Sequence, residues 1–190
     1  MRHLLIPPED RHLPARVRRL QELGIGGKPD PEMDEFAREA GRILDARIAG
    51  VNLIDGDQQY FAGLYSKDLE AADPADRPAD PDKGRVLHKD LGYCRHVIAR
   101  RRALVLEDIQ DFARFAVDAV RDQTGIRSYM GTPLIDRTGV ALGTVWVGDT
   151  EPQRWGRDGL EVIKAVAARL IERLERTEPV GVSGFRRVRP

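Results

Sequence analysis

The sequence predicts an α+β fold built on a central antiparallel β-sheet of about five to six strands. Three observations carry that reading: two pairs of β-forming segments joined by short turns, amphipathic helices before the first pair and after the last, and a composition suited to one globular unit. The chain has 190 residues, long enough for one sizeable core. Hydrophobic residues make up 41% and charged residues 33%, which excludes a disordered chain. The 31 Lys and Arg balance 31 Asp and Glu, so there is no net field to gather nucleic acid or an acidic membrane, although a local patch stays possible. One cysteine excludes an internal disulfide and a cysteine-based zinc site and points to a reducing cytoplasm. The apolar stretch Leu4 to Ile6 is broken at once by Pro7 and Pro8, and no segment approaches the length of a membrane span, so a soluble intracellular protein is expected.

Residues 1–13 combine two prolines with scattered charge and read as an arm. Val17, Leu20 and Leu23 then recur at helical spacing among Arg16, Arg18, Arg19 and Glu22, and Gly24, Gly26 and Gly27 close that helix. Asp30-Pro31 is a second start signal, an N-cap residue followed by proline at the first helical position. Phe36, Ala37, Ala40, Ile43 and Leu44 form the apolar stripe of the helix it opens.

From Ile48 the period changes. Ile48 to Asp55 and Gln58 to Ser66 flank Asp55-Gly56-Asp57 and predict a β-hairpin. Strict alternation places Tyr60 and Leu64 on one face and Phe61 and Tyr65 on the other, so both faces are expected to be covered. Lys67 to Gly84, repetitive in Ala, Asp and Pro, predicts a long mobile loop. After it come a helix over Gly92 to Arg101, a strand over Ala103 to Ile109 and a helical stretch over Phe112 to Val120. Ile126 to Asp136 and Val140 to Asp149, joined by Arg137-Thr138-Gly139, predict the second hairpin, and Arg157 to Arg176 the last helix. In that helix Leu160, Ile163, Ala167, Leu170 and Leu174 repeat at three and four, with Val162, Val166 and Ile171 widening the stripe, which predicts a homodimer built from the terminal helices. Residues 177–190 read as a flexible basic tail, leaving 14–176 as the single domain.

Candidate chemical motifs meet simpler explanations. Gly24-Ile25-Gly26-Gly27 follows a helix rather than a strand, as a helix C-cap does and a phosphate loop does not. Asp73, Asp76, Asp80 and Asp82 are interrupted by prolines where a calcium loop must wrap. His88, Asp90, Cys94 and His96 form the densest group of metal-type ligands, but residues two apart on a helix, such as Cys94 and His96, do not face each other. No metal site and no catalytic residue is assigned. The pocket is expected between the sheet and residues 67–120, with the acidic loop as lid, lined by Tyr93, Asp108, Phe112, Phe115 and Tyr129 and by Asn52, an amide inside an apolar strand.

Gly92-Tyr93-Cys94-Arg95-His96-Val97-Ile98, Leu104 to Asp108, Ile126 to Leu134 and Gly143-Thr144-Val145-Trp146-Val147-Gly148-Asp149, with Gly50 to Asp55 upstream, resemble in order and spacing the GAF domain family, in a subgroup of bacterial signalling proteins. The resemblance runs from about Pro14 to Arg176. It implies terminal helices on one face of the sheet and, on the other, a small-molecule pocket with short helices and a long loop, to which Cys94 and Trp146 also belong. It further implies a regulatory ligand-binding or sensory role in signal transduction, exerted through dimerisation or a partner protein, with the ligand unidentified.

Departures from the family narrow the choice. The spaced signature of cyclic-nucleotide-binding relatives is not found, Arg95 separates Cys94 from His96 where bilin-binding relatives join cysteine to histidine, and the related free methionine sulfoxide reductases use more than one cysteine. Trp146 stands where many members of the subgroup carry cysteine, and its ring is expected to shrink the cavity. The reading from another class is a thiol-dependent reductase with Cys94 as nucleophile, or a scaffold that has lost its ligand.

Overall fold

In a computed structural model the described residues are 9–80, 82–89, 91–115, 122 and 124–176. They form α1 (Leu13–Leu23), α2 (Pro31–Ile43), β1 (Ile48–Asp55), β2 (Gln58–Ser66), α3 (Lys67–Ala71), β3 (Val86–His88), α4 (Cys94–Arg100), β4 (Leu104–Leu106), β5 (Ser128–Ile135), β6 (Ala141–Asp149) and α5 (Gly156–Arg176). The six strands make one antiparallel sheet in the order β3-β2-β1-β6-β5-β4. The α+β class and the antiparallel sheet predicted above are the ones observed.

The helix starts and stops follow the signals in the sequence. Asp30 accepts a hydrogen bond from the Glu32 amide at the head of α2, and Gly24 ends α1 in the left-handed region at φ 66°. Helices α1, α2 and α5 pack on one face of the sheet over a core that includes Leu20, Met33, Ala37, Val51, Leu53, Met130, Val145, Ile163 and Leu170. The stripe on α5 is used within the chain: Ile163, Val166, Ala167, Leu170, Ile171 and Leu174 are all buried in this core.

Several expectations change. The alternation in β2 fails at a bulge, where the register passes from Val51 opposite Gly63 to Asn52 opposite Phe61 and leaves Ala62 as the extra residue. That residue turns the remainder of the strand over, so Tyr60 and Tyr65 both face the helices while Phe61 packs on the opposite side. Gly63 lies so close to the Met33 backbone of α2 that a Cβ there would overlap the Met33 carbonyl.

Arg16 and Arg19, which stand among the apolar repeat of α1 without belonging to it, are buried. The Arg16 guanidinium donates to the carbonyls of Ile54 (3.0 Å) and Ala141 (3.3 Å) and pairs with Asp10, while Arg19 holds Asp136 at 2.6 Å in the second hairpin turn.

The long loop is partly organised: Ser66 caps α3, and Asp73 caps a 3-10 turn at Pro74–Asp76. Its acidic residues lean away from the expected lid position, with Glu70 reaching Arg38 and Arg42 of α2 and Asp68 reaching Arg47. The strand after α4 is shorter than predicted because Asp108 caps a 3-10 turn at Ile109–Asp111. Of the predicted helix over Phe112 to Val120, Phe112 to Phe115 form turns, and residues 116–120 lie outside the described residues, as does the basic tail.

Candidate functional site

The face of the sheet opposite the helices carries a second, smaller cluster. Alternation directs Asn52 of β1, Thr144 and Trp146 of β6 and Tyr129 of β5 to this face, since Val51, Leu53, Val145, Val147 and Met130 serve the other. The side chain of Trp146 needs space along the sheet. Register supplies it by placing Gly50 and Gly131 on either side of Trp146 in one cross-strand row. A Cβ at Gly50 would overlap the indole, and one at Gly131 would overlap the Tyr129 ring. The indole stacks on Tyr129 (6.2 Å between centroids, 19° between planes) and meets Phe61 at 5.7 Å, while Tyr93 leans on Tyr129 at 5.1 Å.

Gly92, at φ 73°, turns the chain into α4, whose first residue is Cys94. The Cys94 thiol is buried 3.5 Å from the Tyr129 hydroxyl. Burial pushes the thiol pKa up, and the neighbouring Thr144, Tyr129 and Asn52 side chains oppose this only in part. Burial also raises the Tyr129 hydroxyl well above its ordinary value. The resting sulfur is therefore a thiol rather than a thiolate, a poor nucleophile.

Between these side chains remains a cavity of about 40 Å³, lined by Phe61, Leu87, Leu91, Tyr93, Cys94, Ile126, Tyr129 and Trp146 with the edge of Gln59. Beside it lies a polar seam. Gln59 donates to the carbonyls of His88, Lys89 and Leu91 and accepts from Asn52 Nδ2 at 2.6 Å. This fixes both amides, because the nitrogen of Gln59 must face the carbonyls and its oxygen the Asn52 nitrogen. Among the described residues Asn52 Oδ1, Thr144 Oγ1 and Trp146 Nε1 are buried and have no hydrogen-bond partner. Asn52 and Thr144 are 0% exposed and face each other across β1 and β6.

Of the residues expected in the pocket, Asn52, Tyr93, Cys94, Tyr129 and Trp146 come together. Phe115 belongs to the same cluster but stands behind Tyr93, edge-on at 5.9 Å. Asp108 is turned away, paired with Arg127 at 2.8 Å, and Phe112 is 41% exposed. Gln59, Phe61, Leu87, Leu91 and Ile126 were not anticipated. Cys94 and His96 diverge as their spacing required: Cys94 faces the sheet, and His96 packs edge-on against Phe115 at 5.0 Å. Among the described residues no group of three or more His, Cys, Asp or Glu side chains could hold a metal ion.

His96 gives the site a pH dependence. Burial, followed by the charges of Arg95, Arg114 and Arg100, lowers its pKa from 6.5 to about 4. The folded state thus binds the neutral ring, and the unfolded state takes up a proton first as pH falls. The stability contributed by neutral His96 is complete above pH 6.5 and is lost as pH drops toward about 4. Denaturant unfolding should show that decline, and His96→Leu should flatten it; an unchanged slope in the variant would assign it to other groups.

The sequence pattern of the GAF domain family matches residues 29–174. Among solved structures, the GAF domain of an Acinetobacter phosphoenolpyruvate-protein phosphotransferase is 15% identical, covers 88% of this chain and 96% of its own, and superposes with a TM-score of 0.57. A segment of a methyl-accepting chemotaxis protein is 15% identical over 85% of this chain and 96% of its own, at 0.59. Free methionine-R-sulfoxide reductase from Neisseria meningitidis, in complex with its substrate, is 15% identical over 87% of each chain, at 0.58. At such identities the likeness is one of fold. No curated protein matches the chain.

Proposed function

The chain belongs to the GAF domain family, and from that premise we propose that it is a regulatory module that binds a small molecule on the aromatic face of its sheet and passes the signal to a partner or to a second copy of itself. The observation that supports this most is the buried seam beside the cavity, joined to its wall through Gln59 and Trp146, where Asn52 Oδ1, Thr144 Oγ1 and Trp146 Nε1 have no hydrogen-bond partner among the described residues. Each unpaired buried polar atom costs about 1–3 kcal/mol, so a ligand offering complementary groups gains what the empty protein forgoes. The cavity is small because Trp146 occupies the space, so ligand entry requires the indole to move.

Output through self-association would use the outer surfaces of α2 and α5, where Ile43 is 56% exposed beside Phe36 and Arg169. No described helix is long and apolar enough to cross a membrane, and with one cysteine the chain suits a cytoplasmic setting. Thiol-dependent reduction at Cys94 is less favoured by the geometry, because burial keeps the thiolate scarce.

Native mass spectrometry of protein purified from its own source tests the reading, with an Asn52→Leu variant as control. A retained small molecule in the parent, lost from the variant, is expected. A bare mass in the parent, or an adduct indifferent to Asn52, would overturn the pocket assignment. The same spectrum separates dimer from monomer.

A further inference from the structure

A second recess lies outside this site, at the edge of the sheet. Strand β3 pairs only with Gln58, Gln59 and Tyr60, so beyond Tyr60 the outer edge of β2, the one away from β1, has no neighbouring strand among the described residues. Along that stretch α2, α3, Arg77, Pro78, Asp80 and Lys83 to Arg85 line a groove of about 730 Å³. This is within the size range of small-molecule sites.

Glu35, Glu70 and Asp80 line the groove among five cations; Glu35 pairs with Arg38, and Glu70 is the carboxylate that Arg38 and Arg42 hold together. Glu70 is gripped by the fork of Arg42 through Nη2 at 2.6 Å and Nε at 3.2 Å, by Arg38 at 3.2 Å and by the Tyr65 hydroxyl at 3.3 Å. Two parallel N–H donors from one guanidinium suit a carboxylate and a phosphate alike. Arg77 and Lys83 add two more cations to the lining, and Leu64 and the 46%-exposed Leu69 add apolar surface. The Glu70 side chain is placed by these polar contacts rather than by packing, because α3 has five residues and none of them is buried; its remaining ties are the Ser66 cap, Asp68 with Arg47, Lys67 with Asp45 and Arg77 on the Glu70 carbonyl. Solvent-exposed ion pairs of this kind are screened by water and contribute little, so an external anion can compete.

The geometry points to an anion-binding site in this groove, in which Glu70 is the chain's own occupant, displaced by a ligand that joins a carboxylate or phosphate to an apolar body. The head group enters the Arg38 and Arg42 clamp and the apolar body lies on Leu64, Tyr65 and Leu69. Displacing Glu70 releases its contacts with Arg38 and Arg42 and so loosens α3 from α2.

The test uses the full chain and two fluorescent probes, 1-naphthyl phosphate and 1-naphthoate, each titrated against the parent, Glu70→Gln, and Arg38→Gln with Arg42→Gln. At least one probe should bind the parent. Glu70→Gln should tighten its Kd at least tenfold by removing the internal competitor, and the double variant should weaken it at least tenfold. The preferred head group tells phosphate from carboxylate. No binding of either probe, a Kd indifferent to Glu70→Gln, or binding that survives loss of both arginines would overturn the assignment.

Discussion

Trp146→Ala is expected to destabilise the fold by about 3–5 kcal/mol, the range for removing a large buried aromatic side chain. The indole is 7% exposed and packs between Phe61 and Tyr129 over Gly50. Its neighbours cannot close the gap, because the two residues flanking it in the sheet are glycines. The truncated protein should therefore hold a cavity, and added indole should restore part of the loss by mass action, in proportion to its concentration over Kd. Urea denaturation with and without indole measures both effects. A loss below about 1 kcal/mol would mean that the ring is not packed as described.

Arg16→Met should cost about 2–6 kcal/mol, because two buried carbonyls each lose a hydrogen bond at about 1–3 kcal/mol. Methionine replaces the stem but not the guanidinium, so the carbonyls of Ile54 and Ala141 lose their donor at the ends of β1 and β6. Asp10 is partly exposed and can turn to water, which keeps its share of the loss small. Arg16→Lys should recover only a fraction, since one ammonium cannot reproduce the fork. Chemical denaturation of both variants decides it: if methionine proves as stable as arginine, the buried network contributes nothing.

Much of this arrangement was legible in the sequence where a local signal exists. Asp55-Gly56-Asp57, the glycine at 139 and the Asp30-Pro31 start each mark a turn or cap, and the structure has a hairpin or helix at all three. Gln59 was legible in principle: the tight turn sets Asp55 opposite Gln58 and Ile54 opposite Gln59, which puts Gln59 diagonal to Asn52. It was missed because two glutamines opening a strand carry no apolar signal that marks one of them as buried.

The bulge at Ala62 had no such signal, since an extra residue in one strand shows only when both strands are paired. Strand β3 was missed because three residues are too few for a period to declare itself. Arg16 and Arg19 defeated the helical pattern because what buries them is a set of distant carbonyls and a carboxylate, unrelated to their neighbours in the chain. Asp108 and Phe112 were plausible pocket residues by type, but local capping and an ion pair took the first, and exposure removed the second.

The unequal size of the two clusters gives the molecule two levels of protection against solvent hydrogen. The helix-covered core runs through β1, β2, β5 and β6, so its amides exchange only when the whole chain unfolds. The other side, with a short helix and the three-residue strand β4, is held largely by a smaller cluster of aromatic and aliphatic side chains around Cys94, and its amides can exchange through a partial opening that leaves the first core intact. Anything bound beneath α4 would slow exchange there selectively, and the slowest amides of β1 and β6 would report the added global stability alone.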